Sequence, residues 1–204
     1  MKASVATITL VGMAPMSQSR QHHEPKLEGE THDAYDSRTW LSKAHIEERA
    51  GKRVLTIPAN GFRQCLADAA KYSKRQIPGQ GKATWTAKFA AGIALLGGNP
   101  VINNVDPNAL QSITIPANAD GQRGSGKRVA RRFPVIPIGW SSTFEVHVLD
   151  PIITKDIFVE MIELAGMFIG MGQFRPANLG TNGRFMLDKI DWIDNRALVF
   201  PRVA

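Results

Sequence analysis

The sequence predicts an α+β protein in which one antiparallel sheet carries its helices on a single face. Three observations lead there. Apolar and polar or small residues alternate over residues 4–11 and 142–149, the period of a half-buried strand. Apolar residues recur at helical spacing at Phe62, Leu66, Ala69 and Ala70, and again at Phe158, Met161, Ile162, Ala165, Phe168 and Ile169, the stripe of a helix lying on a core. The two patterns interleave along 204 residues, a length suited to a single domain with insertions.

Residues 4–11 are the first strand, ended by Gly12. Residues 13–39 are dominated by Pro, Ser, Gln, His, Glu, Gly and Asp. They are read as a flexible arm, or one that folds on a partner, within an insertion over 13–52. Residues 53–57 form a short strand belonging to that insertion, stopped by Pro58-Ala59-Asn60. Asn60 is expected to cap a helix over 60–72, its side-chain oxygen accepting from an orphan N–H. A basic loop over 73–84 leads to a second helix over 84–96, with Trp85, Phe89, Ile93 and Leu96 on one side and Gly97-Gly98 closing it. Residues 99–116 hold weak strands, and 118–127 are Gly-rich and polar. A strand over 128–138 is expected at an edge or a bulge because of Pro134 and Pro137. After the strand at 142–149, Thr154 caps a helix over 154–169, with Asp156 suiting its dipole. Gly170 and Gly172 stop it, and a Gly-containing loop over 173–183 precedes a terminal strand pair at 184–192 and 196–200. With 73–127 taken as a second insertion, the order is βαββαβ, that of a ferredoxin-like, RRM-like sheet. RNA-recognition folds use the open face of such a sheet and the adjoining loops.

Lys and Arg number 25 against 18 Asp and Glu, for a formal net charge of +7. That excess favours a polyanionic partner, nucleic acid foremost. Hydrophobic residues make up 43% and charged residues 21%, enough for a core and too balanced for a disordered chain. The single Cys65 excludes an internal disulfide and a multi-cysteine metal site, and fits a reducing compartment. No long apolar run and no signal-peptide layout is present, so the expectation is a cytoplasmic protein with no membrane partner. No cofactor is expected.

Two glycine-rich windows carry most of the candidate chemistry. In the first, Gly166, Gly170, Gly172, Gly180 and Gly183 accompany Arg175, Asn178 and Arg184. Glycines admit a close backbone approach to phosphate, and arginines pair phosphates bidentately; a helix cap followed by tight turns explains the same glycines. In the second, Arg123, Lys127, Arg128, Arg131 and Arg132 cluster in a Gly-rich stretch. Residues 121–127 formally match GxxxxGK, but Arg128 stands where a P-loop needs Ser or Thr, and a strand follows where a helix must begin. Contact with a nucleic-acid backbone is the better reading, against a solubilising surface loop. Further basic candidates are Arg63, Lys71, Lys74, Arg75 and Lys82, with Lys88 and Trp85 nearby. Such interleaving suits single strands, although Trp85 itself reads as core. His22, His23, His32, Asp33, Asp36 and His45 match no metal spacing. Asp33, Asp36 and His45 are kept as candidates for cutting a phosphodiester. His147 reads as structural or exposed, Cys65 as a buried thiol, and no Gly-x-Ser-x-Gly elbow or catalytic triad is found.

The segment RVLTIPANGFRQCLADAAKY, preceded by a strand and a long polar insertion, resembles the strand-to-helix region of CRISPR-associated RAMP proteins. The segment GMFIGMGQFRPANLGTNGRF is similar to the Gly-rich loop after their second helix. The likeness covers about half the chain and is nearest to the backbone subunit that forms a filament on guide RNA. Small phage and mobile-element proteins share GxGKRVxRxFPVI followed by AGxFIGxGxFRP. The RAMP resemblance implies a role in antiviral defence. It implies binding of guide RNA (crRNA) and presentation for pairing with a target nucleic acid, with further copies of the chain and other effector subunits as partners. It also implies a thumb that wedges between bases, supplied by 13–39 or 99–127. Two alternatives stay open: a RAMP-type endoribonuclease, and a phage single-stranded nucleic-acid-binding or virion-associated protein.

Overall fold

The structure, a computed structural model, describes residues 2–118 and 128–197. In chain order its elements are β1 (Lys2–Gly12), β2 (Met16–Ser17), α1 (His32–Thr39), β3 (Ile46–Arg49), β4 (Lys52–Leu55), α2 (Ala59–Ser73), α3 (Thr86–Gly92), β5 (Ile93–Ala94), β6 (Gln111–Asn118), β7 (Arg128–Ile136), β8 (Ser141–Val148), α4 (Lys155–Leu164) and β9 (Phe185–Ala197). A π-helical turn over Ala165–Ile169 extends α4. The expected α+β content is present.

The main sheet has the order β5-β8-β1-β9, with every neighbouring pair antiparallel. Its register follows from the alternation in β1. Ala6 lies opposite both Val146 and Trp192, and Ile8 opposite both Phe144 and Ile190, so all three strands turn their apolar side chains the same way. That face is covered by Phe62, Leu66, Ala69 and Ala70 of α2 and Phe158, Met161 and Ile162 of α4, all buried in one core. Phe62 meets Phe144 edge-on with centroids 5.1 Å apart, and Phe158 lies 5.5 Å from Trp192. Truncating a core leucine such as Leu66 to alanine is worth about 2–5 kcal/mol.

Several boundaries differ from the sequence reading. The helix expected over 84–96 ends at Gly92, and Ile93–Ala94 pairs with Val148 and His147 as the edge strand beside β8. A Cβ at Gly92 would lie 2.9 Å from the Asp150 Cβ, and the Gly92 carbonyl accepts from Leu149 N–H at 2.7 Å. The chain is thus drawn onto β8 before the helix can continue. Residues 128–136, expected in the main sheet, instead form the middle strand of a three-stranded sheet, β2-β7-β6. Pro134 is tolerated there because β2 pairs only with Val135 and Ile136, and the Pro134 carbonyl accepts from Gln18 N–H at 3.3 Å. The expected strand pair at the C-terminal end is one strand through Ala197, its register shifted twice against β1; residues 198–200 lie outside the described residues. Helix α2 starts after Pro58, with no side-chain cap from its own N-terminus. Asn99 accepts from Ala59 N–H at 2.8 Å, while Asn60 sits inside the first turn and accepts from Arg63.

The arm over 13–39 packs on its own chain. Thr31 caps α1 by accepting from Ala34 N–H at 3.2 Å. The Tyr35 hydroxyl donates to the Glu24 carbonyl at 2.8 Å, and Arg38 bridges Glu24 and Glu30. The hydrogen bond from Arg38 pulls the Glu30 carboxyl down to about 2. Strands β3 and β4 then form a hairpin.

Candidate nucleic-acid interface

Strands β6 and β7 make a hairpin paired from Gln111–Val135 out to Asn118–Arg128. Its root is held by a buried charge. Asp36 on α1 is 2% exposed. It accepts from the Lys43 ammonium, from Arg132 N–H and, at 3.3 Å, from Arg131 Nε. Lys43 in turn donates to the Arg132 carbonyl at 2.6 Å and lies 5.0 Å from the centre of the Phe133 ring. Burial alone would raise the Asp36 carboxyl. The hydrogen bonds from Lys43 and Arg132 outweigh it and hold the group below its ordinary value. Asp36 is therefore a fastener for the hairpin, with its carboxylate engaged by Lys43, Arg131 and the Arg132 N–H. Arg131 is half-buried in this contact, Arg132 is also partly covered, and Arg128 is exposed. Arg123 and Lys127 lie outside the described residues.

The other cutting candidates are not brought together with it. Asp33 is exposed in the first turn of α1. His45 is half-buried and its titration is lowered by burial and by Arg20. Its backbone N–H donates to Gln18 and its carbonyl accepts from Thr56. Among the described residues no group of three His, Cys, Asp or Glu could hold a metal. No helix among them is long and apolar enough to cross a membrane.

The Gly-rich loop is packed against the protein's own backbone. Gly170 and Gly172 have φ of 72° and 78°, and a Cβ on Gly172 would collide with the Ser17 carbonyl. That carbonyl accepts from Gln173 N–H at 2.7 Å, Met171 N–H donates to Gly183, and Gly183 N–H to Pro15. The loop thus ties the end of α4 to β2 and the start of β9. Arg184 donates to the carbonyls of Met167 and Thr181. Arg175 pairs with Asp68 at 3.7 Å. Asn178 ends a short 3-10 turn. The Cys65 thiol donates to the Gly170 carbonyl at 3.3 Å, and burial pushes it up to about 12, a structural thiol.

Among the remaining basic candidates, Arg63 donates to the carbonyls of Ile93 and Ala90 and so pins α2 to the α3–β5 junction. Arg75 pairs with Glu160 on α4. Lys71, Lys74 and Lys82 are exposed. Trp85 is core. The open face of the main sheet carries Thr7, Thr9, Thr143, Glu145, Lys189 and Asp191 by register. Its aromatic neighbours Phe144 and Trp192 face the helices, so among the described residues this face carries no Phe, Tyr or Trp, although His147 lies on it opposite Val5.

Sequence reasoning overlooked one pair. Tyr72, in the last turn of α2, stacks on Phe168 in the π-helical turn, with centroids 5.3 Å apart and planes 21° from parallel. Phe168 falls on the core spacing of α4, which hid it. The run Lys71-Tyr72-Ser73-Lys74-Arg75 was the available signal.

No protein-family model matches the chain, and no curated protein does. Solved structures do. The chain superposes on one of a Type III-B Cmr-beta bound to cognate target RNA, with TM-score 0.51 and 10% identity over 95% of this chain; it spans 61% of that chain. It is similar to Cmr6 from Pyrococcus furiosus, with TM-score 0.51 and 11% identity over 92% of this chain and 100% of that one. A chain of a Type IV-B CRISPR complex matches with TM-score 0.52 and 10% identity, over 100% and 96% of the two. At these identities the likeness is one of fold, and the resemblance read from the sequence points to the same group: the chain shares its fold with RAMP-type subunits of CRISPR complexes.

Proposed function

We propose that this chain is an RNA-binding subunit of a CRISPR-type ribonucleoprotein that holds guide RNA by its backbone. The observation that carries the reading is the β6–β7 hairpin, fastened at its root by Asp36 and Lys43 and running out to the exposed Arg128. The sequence beyond Arg128 adds Arg123 and Lys127 in a Gly-rich stretch, which suits phosphate contacts without base readout. The fold supports it as well. The sheet order β5-β8-β1-β9, with α2 and α3 between β1 and β5 and α4 between β8 and β9, is read as a ferredoxin-like βαββαβ arrangement in which 93–94, not 128–138, is the second strand. In this reading the hairpin is the thumb, copies follow one another along the RNA, and other effector subunits complete the particle that meets a target. The endoribonuclease alternative is weaker because Asp36 is engaged in an ion-pair network.

The test is binding of a fluorescein-labelled single-stranded RNA across a salt series, with the wild type and a variant in which Asn-Gly replaces residues 119–127 and Arg128 is changed to Gln. Each lost phosphate contact lowers the log–log salt slope by about 0.7 on a single strand. The expected result is weaker binding and a flatter slope at an unchanged melting temperature. An unchanged slope overturns the hairpin as the RNA contact. Equal affinity for single-stranded DNA moves the reading to a general single-strand binder.

A further inference from the structure

We propose that Tyr72 and Phe168 form a stacking platform for an unpaired base of single-stranded RNA. This inference rests on the RNA-binding reading and adds to it a second contact, remote in sequence from the hairpin and of different chemistry.

The two rings come from separate elements, the last turn of α2 and the turn that follows α4, and they lie nearly parallel at 5.3 Å. Each covers part of the other, yet Tyr72 remains 54% exposed and Phe168 47% exposed. The π-helical turn explains the placement. It widens the helix at Ala165–Ile169, so that Ile169 enters the core while Phe168 swings off the inward stripe. Arg184 donates to the Met167 carbonyl at 3.1 Å and holds this turn from the β9 side. A stacked aromatic pair left open presents a flat π surface, which every base can cover regardless of its identity.

The charges around the pair favour a nucleic acid over another protein. Lys71 and Lys74 flank Tyr72 in sequence, are exposed, and make no ion pair among the described residues. Asp68, one turn before Tyr72, is paired with Arg175 at 3.7 Å, and Glu160 of α4 is paired with Arg75. The rim therefore offers two unpaired ammonium groups, Lys71 and Lys74, against one exposed acid without an arginine partner, Glu163 at the end of α4. Cations beside an aromatic surface are the working parts of a single-strand site.

The experiment uses the full-length protein and a short RNA carrying 2-aminopurine at successive positions, whose fluorescence falls when the base stacks. The variants are Tyr72→Ser with Phe168→Ser, and separately Phe168→Leu, which keeps the apolar contact but removes the ring. Tyr72→Trp serves as the retaining control. The expected result is about tenfold weaker single-strand binding in the double variant, from the loss of one base stack. Quenching at the stacked position disappears in the double variant and in Phe168→Leu, and is retained in Tyr72→Trp. The salt slope stays at the wild-type value, because no phosphate contact is lost; a hairpin variant changes the slope instead, so the two readings fail separately. Wild-type affinity and quenching in Phe168→Leu and in the double variant overturn the platform and leave the hairpin reading standing. A change in self-association by sedimentation, with RNA affinity unchanged, overturns it in favour of a protein contact. Absence of RNA binding by the wild type overturns both.

Discussion

Asp36 is the residue whose reading changes most between sequence and structure. In the sequence it is an acid in a polar arm near histidines; in the fold it is buried between Lys43, Arg131 and the Arg132 N–H. Removing one partner of a buried pair strands the other, which costs about 3–5 kcal/mol. Asp36→Ala is therefore expected to lower stability by that amount in urea unfolding, while Asp36→Leu with Lys43→Met recovers most of it. The pH dependence has a definite sign. The folded carboxyl lies below its ordinary value, so its contribution is complete above the unfolded pKa of about 4. It is lost as pH falls through the lower folded value. Acid melting of Asp36→Asn should be correspondingly less steep than that of the wild type. At Gly172, a φ of 78° and the Ser17 carbonyl where a Cβ would lie make the glycine a requirement of chain crossing.

At the scale of elements, local pattern and outcome agree where one face of the element meets the core directly. β1, β8, α2 and α4 are legible from Ile8, Val146, Leu66 and Phe158 because period and burial coincide there. β5 is not legible. Its two residues carry no period of their own, and they become a strand because Gly92 approaches the turn after β8. Arg63 secures that junction by donating to Ile93 and Ala90. Arg63→Met leaves those carbonyls without their charged donor, at about 1.5–3 kcal/mol. Its expected signature is faster amide exchange across α3 and β5, with β1 protection falling only by the global loss; uniform change through the sheet would show that Arg63 has no local role.

For the molecule as a whole, the charge excess of +7 acts through its distribution. The open sheet face mixes Glu145, Asp191, Lys189 and Arg196, with Glu145 and Arg196 paired at 2.7 Å. Among the described residues, Arg128 on the hairpin and Lys71 and Lys74 near the end of α2 are exposed basic groups without an ion pair. A chain that follows its own copies along RNA should load in steps. Light scattering on RNAs of increasing length is expected to show mass rising in increments of 22.3 kDa. One copy per RNA at every length would remove the filament from the proposed function.

The α+β class, the elements β1, β8, α2 and α4, the buried character of Cys65 and Trp85, and the basic balance were all readable in the linear chain. Each depends on composition or on a period shorter than an element. Tertiary structure alone decided that the β7 strand leaves the main sheet and that the polar arm is fastened through Asp36. It also decided that the glycines admit the protein's own backbone and that Tyr72 meets Phe168. These outcomes join residues far apart in sequence, and no local period encodes which distant group will arrive to satisfy a buried charge, a carbonyl or an open ring.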